Sequence, residues 1–172
     1  MMMRKVAWLT ALMVLTSALA LAQTFTVRGA YGAGSAGAPD SDQANAFFSF
    51  AVSKISYGDR SWQGGWFSLT TRQDDQYISV IMYRLSDLEV DTSAGTASFS
   101  GQAVLLVRSR SGYERIRGTI QVSVADNRSR DGSGDPDTLE VSFSDEDGNE
   151  VFSYSGEVKR GDIAVFERSR SR

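Results

Sequence analysis

Histidine and cysteine are both missing from the 172-residue chain, and proline occurs only twice, at Pro39 and Pro136. Without imidazole or thiol there is no His-based general acid or base, no Ser-His or Cys-His nucleophile, and none of the usual zinc, copper or haem ligands. No disulfide is available, so stability rests on burial and backbone pairing. Basic residues do not dominate: 18 lysines and arginines stand against 21 acids, which provides no global attraction to nucleic acid. Long apolar runs are missing as well, since none reaches the about 20 residues of a membrane-crossing helix.

The first residues are organised as a secretory leader. Arg4 and Lys5 form a charged start, Val6 to Leu15 an apolar run, and Ala18 to Ala22 a small-residue exit. The small-x-small rule is met by Ala20-Leu21-Ala22, which predicts cleavage after Ala22, with Ala18-Leu19-Ala20 as a neighbouring alternative. No cysteine follows the exit, which excludes lipoprotein anchoring. Removing 22 residues leaves 150 with 16 basic and 21 acidic side chains, a size suited to one domain. The expected location is secreted or periplasmic.

A short strand is expected at Thr24 to Arg28. From Gly29 to Ala46 the chain is rich in Gly, Ala, Ser and Asp and lacks either hydrophobic period, so residues 23–46 are expected to form that strand and a flexible lead-in. Beyond Phe47 short stretches rich in Val, Ile, Phe, Tyr, Ser and Thr alternate with Gly and Asp every eight to twelve residues or so. This predicts an all-β domain over residues 47–167, an antiparallel meander of about eight or nine strands forming a β-sandwich or closed barrel. Residues 168–172 are expected to be a disordered Arg/Ser tail.

Three turns test the alternation, because a slip of one residue inverts every side chain. A loop at Ser111-Gly112 puts Phe99, Ala103, Leu105 and Val107 on one face with Ile116, Ile120, Val122 and Val124. A loop at Asp147-Gly148 sets Phe143 opposite Phe152 and Val141 opposite Tyr154. A turn at Asp74-Asp75 pairs Leu69 with Val80 and Phe67 with Met82, although Trp66, Ile81 and Tyr83 leave the other face apolar too.

The order of these elements resembles the post-COAP-1 type domain of bacterial exported proteins. The resemblance is carried by Phe48-Ser49-Phe50-Ala51-Val52, by the segment from Gly95 to Gly101, by the strand from Gly118 ending in Asp126-Asn127, and by Gly134-Asp135-Pro136-Asp137-Thr138-Leu139. It spans roughly Phe47 to Phe166. The chain departs from that pattern in its arginine-rich hairpin and its Arg/Ser tail. What the resemblance implies is an exported β-domain without established catalytic residues.

The remaining chemistry is a carboxylate pair of glycosidase type, a Ser-Lys arrangement, or an oxygen-ligand metal site. Only Lys54 and Lys159 follow the leader, and neither belongs to a helical Ser-x-x-Lys motif. Nine acids lie between Asp126 and Glu150 against Arg128 and Arg130. Within that stretch Asp131, Asp135 and Asp137 are candidate calcium ligands on a flexible loop, while ordinary solvated turns explain the same composition. Arg108, Arg110, Arg115 and Arg117 gather on the polar face of one hairpin, with Arg108 expected opposite Arg115. Like charges opposite one another call for acidic partners such as Glu114 or Glu140, or for an anionic ligand such as an envelope glycan. Trp62, Trp66 and Tyr57, beside Gly58, Gly64 and Gly65, suit either core packing or stacking on sugars. Arg160-Gly161-Asp162 is expected to be a turn between strands.

These features favour an exported, non-catalytic envelope or extracellular module that binds or supports, with no cofactor. A β-barrel carrier of a small apolar ligand is the alternative, and a carboxylate-dependent hydrolase the third. Protein recovered from its native host should begin at Gln23 or Leu21. An intact mass corresponding to all 172 residues would contradict export.

Overall fold

Alternation of apolar with small polar residues gives each stretch one side to bury, and eight such stretches pair into a single sheet. The computed structural model describes residues 24–129 and 132–171, so the leader and Asp131 lie outside the described residues. The strands are β1 (Thr24–Gly37), β2 (Ala46–Tyr57), β3 (Arg60–Gln73), β4 (Gln76–Asp91), β5 (Thr96–Ser109), β6 (Gly112–Ala125), β7 (Thr138–Asp145) and β8 (Glu150–Ser171). Each runs antiparallel to the next, and β8 returns to pair with β1, so the meander closes into a ring. One closed sheet thus stands where a sandwich would need two, and no helix occurs among the described residues.

Two parts of the chain are more ordered than their composition suggests. The glycine-rich lead-in is strand β1, paired with β2 from Phe25 to Ala36 and with β8 along its whole length. Its glycines permit close approach: a Cβ at Gly34 would collide with the Arg160 carbonyl, and one at Gly161 with the Ala33 carbonyl. The Arg/Ser tail likewise belongs to β8, where Arg168, Ser169 and Arg170 pair with Val27, Thr26 and Phe25. Arg160-Gly161-Asp162 lies inside β8 beside a bulge at Lys159, not in a turn.

The registers bear out the predicted faces. Leu69 pairs with Val80 and Phe67 with Met82 across a turn in which Asp74 and Asp75 take φ of 47° and 64°, the left-handed pair that suits a two-residue hairpin. Val141 meets Tyr154 and Phe143 meets Phe152. The arginine hairpin turns one residue earlier than expected, at Arg110-Ser111, which moves the register by two, so Leu105 pairs with Ile116 and Arg108 with Tyr113 rather than Arg115. A shift of two keeps every side chain on its face and changes every partner, which is why alternation alone does not detect it.

The inward face is filled by side chains. Phe50, Phe67 and Phe99 sit at the centre with ring centroids 5.5–6.2 Å apart, surrounded by buried Leu69, Val80, Met82, Leu105, Ile120, Val122, Leu139, Val141 and Phe143. Aromatic pairs at such separations add to the burial itself. Tyr154 points its hydroxyl to Asn45 Oδ1 at 3.0 Å, and burial pushes its pKa up to about 12.

The ring has one loose seam. β3 and β4 pair only between Phe67↔Met82 and Gln73↔Gln76. Beyond that, Gly65 leans against β2 while bulges at Tyr83 and Ser86 turn β4 toward β5. Across the opening Gln63 Nε2 donates to the Ser86 carbonyl at 2.6 Å. Replacing Val122 or Phe143 by alanine should destabilise the fold by about 2 to 5 kcal/mol in denaturant unfolding, because both are essentially unexposed and leave a cavity.

Candidate functional site

On the outer face of β3 to β6, alternation places a patch that is neither apolar nor simply solvated. The registers align Arg72, Tyr77, Arg108 and Tyr113 in one row across four strands, arginine and tyrosine alternating. The next row is Thr70, Ser79, Leu106 and Arg115, and the third is Ser68, Ile81, Val104 and Arg117. Trp66 continues the face along β3, and Tyr83 along β4. Tyr77, Tyr83, Tyr113 and Trp66 are each about half exposed or more, from 48% to 65%. Arg72 lies over the Tyr77 ring, its guanidinium carbon 5.5 Å from the centroid, an arrangement favoured by the ring quadrupole.

Charge is balanced at only one edge of this face. Asp75, at the β3–β4 turn, accepts from Arg72 at 2.8 Å and lies 3.9 Å from Arg110. The hydrogen bond to Asp75 holds the Arg72 guanidinium above its ordinary pKa. Arg108, Arg115 and Arg117 form no ion pair among the described residues, whose other ion pairs are Arg28–Glu167 and Lys159–Glu157. The suggested acidic partners are placed elsewhere: Glu114 stands opposite Val107 and Glu140 opposite Ser123. Ser123 lies six residues from Arg117, about 20 Å along the strand at roughly 3.3 Å per residue. Asp145 pairs with Gly118, next to Arg117 in the chain, but in the inward row of Ala103 and so on the opposite face from Arg117. Trp62, Trp66 and Tyr57 project outward instead of packing in the core.

The acidic stretch does a different job. Asp137 is wholly buried, and its carboxylate accepts the backbone N–H groups of Asn127, Arg128 and Ile163 at 2.9–3.0 Å. Those bonds commit Asp137 to backbone, which corrects its candidacy as a calcium ligand. Asp135 is exposed, and among the described residues no group of three or more carboxylates is placed to hold a metal ion. Asp126 accepts from Val165 N at 3.1 Å, and burial, reinforced by the charges of Asp137 and Asp162, raises its pKa. Asp145 is lowered, chiefly by hydrogen bonds from Asn149. Together Asp126 and Asp137 fasten the β6–β7 connection onto β8.

Comparisons with protein-family models, with curated proteins and with solved structures returned no match. The outer arginine–tyrosine face is therefore interpreted from its own geometry. Sequence spacing located its arginines and the outward Trp66 and Tyr83; that Tyr77 and Tyr113 stand in one row with Arg72 and Arg108 becomes visible only once the strands are aligned. A double-mutant cycle between Arg117 and Glu140 should give a coupling energy of about zero, within about 0.3 kcal/mol, by urea unfolding.

Proposed function

We propose that the chain is an exported, non-catalytic β-barrel module that binds an anionic polysaccharide of the cell envelope or its surroundings on the outer face of β3 to β6. One observation carries this reading: Arg108, Arg115 and Arg117 share a face with exposed Tyr77, Tyr83, Tyr113 and Trp66 and have no ion pair among the described residues. Guanidinium groups form charge-assisted bonds with carboxylates and sulfates, while tyrosine and tryptophan offer flat apolar surfaces to sugar rings. An extended polymer suits a face without a deep cleft. The leader-like first 22 residues and the resemblance to exported post-COAP-1 type domains support the same compartment. A carrier that encloses an apolar ligand has less support, because core side chains occupy the interior.

The test is titration of the protein with a sulfated polysaccharide such as heparin and with a neutral glucan of similar length. The sulfated chain should bind, with affinity falling as salt rises, and the Arg108→Ala/Arg115→Ala/Arg117→Ala variant should bind it at least about tenfold more weakly, equivalent to about 1.4 kcal/mol. Equal binding by the parent and the triple variant would overturn the assignment.

A further inference from the structure

Four strands carry a second set of polar side chains on their inward face, at the end of the ring where the apolar core stops. Below it, Val165, Ala30, Val52 and Gly65 align across β8, β1, β2 and β3. One step outward the same alignment reads Glu167, Arg28, Lys54 and Gln63, and the next reads Ser169, Thr26, Ser56 and Ser61. The core-facing period of β2, Phe48, Phe50 and Val52, thus continues into a cation. Four of these residues, Thr26, Arg28, Lys54 and Ser56, form one wall of a recess of about 520 Å³, with Leu88 and Val90 of β4 on the other. Glu89 also borders it, but pairs with exposed Ser98 on the outward side of β4 and β5.

Electrostatics leave one of the two cations unmatched. Arg28 Nε lies 2.9 Å from Glu167 Oε2, whereas Lys54, directly opposite Arg28 on the neighbouring strand, has no ion pair among the described residues. Like charges placed opposite one another repel, and Lys54 is only partly exposed, so solvent screens it incompletely. Thr26 shares a hydrogen bond with Ser169 at 3.2 Å, and Ser56 adds a second hydroxyl. Across the recess Leu88 is buried and Val90 half-buried, which supplies an apolar wall.

We propose that this mouth recess binds a small amphipathic organic acid, a monoanion whose carboxylate sits between Lys54, Arg28 and the Thr26 and Ser56 hydroxyls and whose apolar body lies against Leu88 and Val90. A single negative charge matches the single unpaired cation, and the volume exceeds what an ion alone needs. The site is separate from the outer arginine–tyrosine face and stands or falls without it.

Decanoate is the probe, with decanol carrying the tail alone and inorganic phosphate the charge alone, each titrated into the full chain and followed by thermal unfolding and calorimetry. Binding to the native state alone must raise the melting temperature with ligand concentration. Decanoate should do so, and decanol and phosphate should be at least about tenfold weaker. Lys54→Met, checked for folding by circular dichroism, should lose tenfold or more in decanoate affinity, with Lys54→Gln as a second variant. Glu167→Gln frees Arg28 and should tighten binding several-fold, an outcome that a merely structural role for these side chains does not produce. Arg108→Ala and Arg115→Ala should leave decanoate binding unchanged. The proposal is overturned if decanoate fails to bind, if phosphate or decanol binds as well, if both Lys54 variants bind as tightly as the parent, or if Glu167→Gln weakens binding.

Discussion

Closure of the backbone ladder between β1 and β8 is the constraint on which the structure depends. An open eight-stranded meander would leave two strand edges exposed, each a template for pairing with another chain. Here β1 pairs on both sides, and it does so through small residues. Ala30 and Ala36 are fully buried, and Gly34 meets Gly161 where larger side chains would strike backbone. The segment with the weakest hydrophobic signature is the one that completes the ring, since proximity of backbones, not side-chain volume, is what closure requires.

Closure also orders the end of the ring that carries the β6–β7 connection. The β6–β7 connection is held by carboxylates that act as hydrogen-bond acceptors for backbone, Asp137 with three N–H groups and Asp126 with one. A buried carboxylate is tolerated where such bonds replace its hydration. Val158 N in turn donates to the Asp137 carbonyl, so one residue ties the loop to β8 through both side chain and main chain. At the neighbouring strand ends the inward face becomes polar, and the recess beside Lys54 lies where the apolar filling runs out. The looseness of the β3–β4 seam, where Gln63 reaches across to Ser86, belongs to the same end of the ring.

Polarity is sorted on only part of the ring, since Tyr31, Phe47 and Trp62 on β1 to β3 are exposed. Ser98, Gln102, Gln121, Ser123, Glu140 and Ser153 face outward over β5 to β8, opposite to the apolar outer band of a membrane-spanning barrel. The arginine–tyrosine face on β3 to β6 differs from that polar stretch. It sets apolar Ile81, Val104 and Leu106 in the same rows as Arg115 and Arg117.

Alternation in the sequence determined the strands, the inward set from Phe48 to Tyr154 and the sharing of one face by the hairpin arginines, because period two is a local property of the chain. Turn chemistry at Asp74-Asp75 was local too, and the register there follows from it; between β7 and β8 the expected pairs Phe143 with Phe152 and Val141 with Tyr154 hold, although the connection runs over residues 146–149 with a bulge at Val151 in place of a two-residue loop. At the arginine hairpin the same information was insufficient: turns at Ser111-Gly112 and Arg110-Ser111 satisfy the alternation equally, and the register that pairs Arg108 with Tyr113 emerges only from the assembled sheet. Tertiary structure alone decided that glycine-rich residues 29–37 form a strand, because their order comes from β2 and β8 on either side. It likewise decided that Asp137 serves backbone donors from β8 and the preceding loop, and that Arg28, Lys54 and Glu167, far apart in the chain, stand in one row. Pairing across a closed ring is a long-range relation, and no local pattern encodes it.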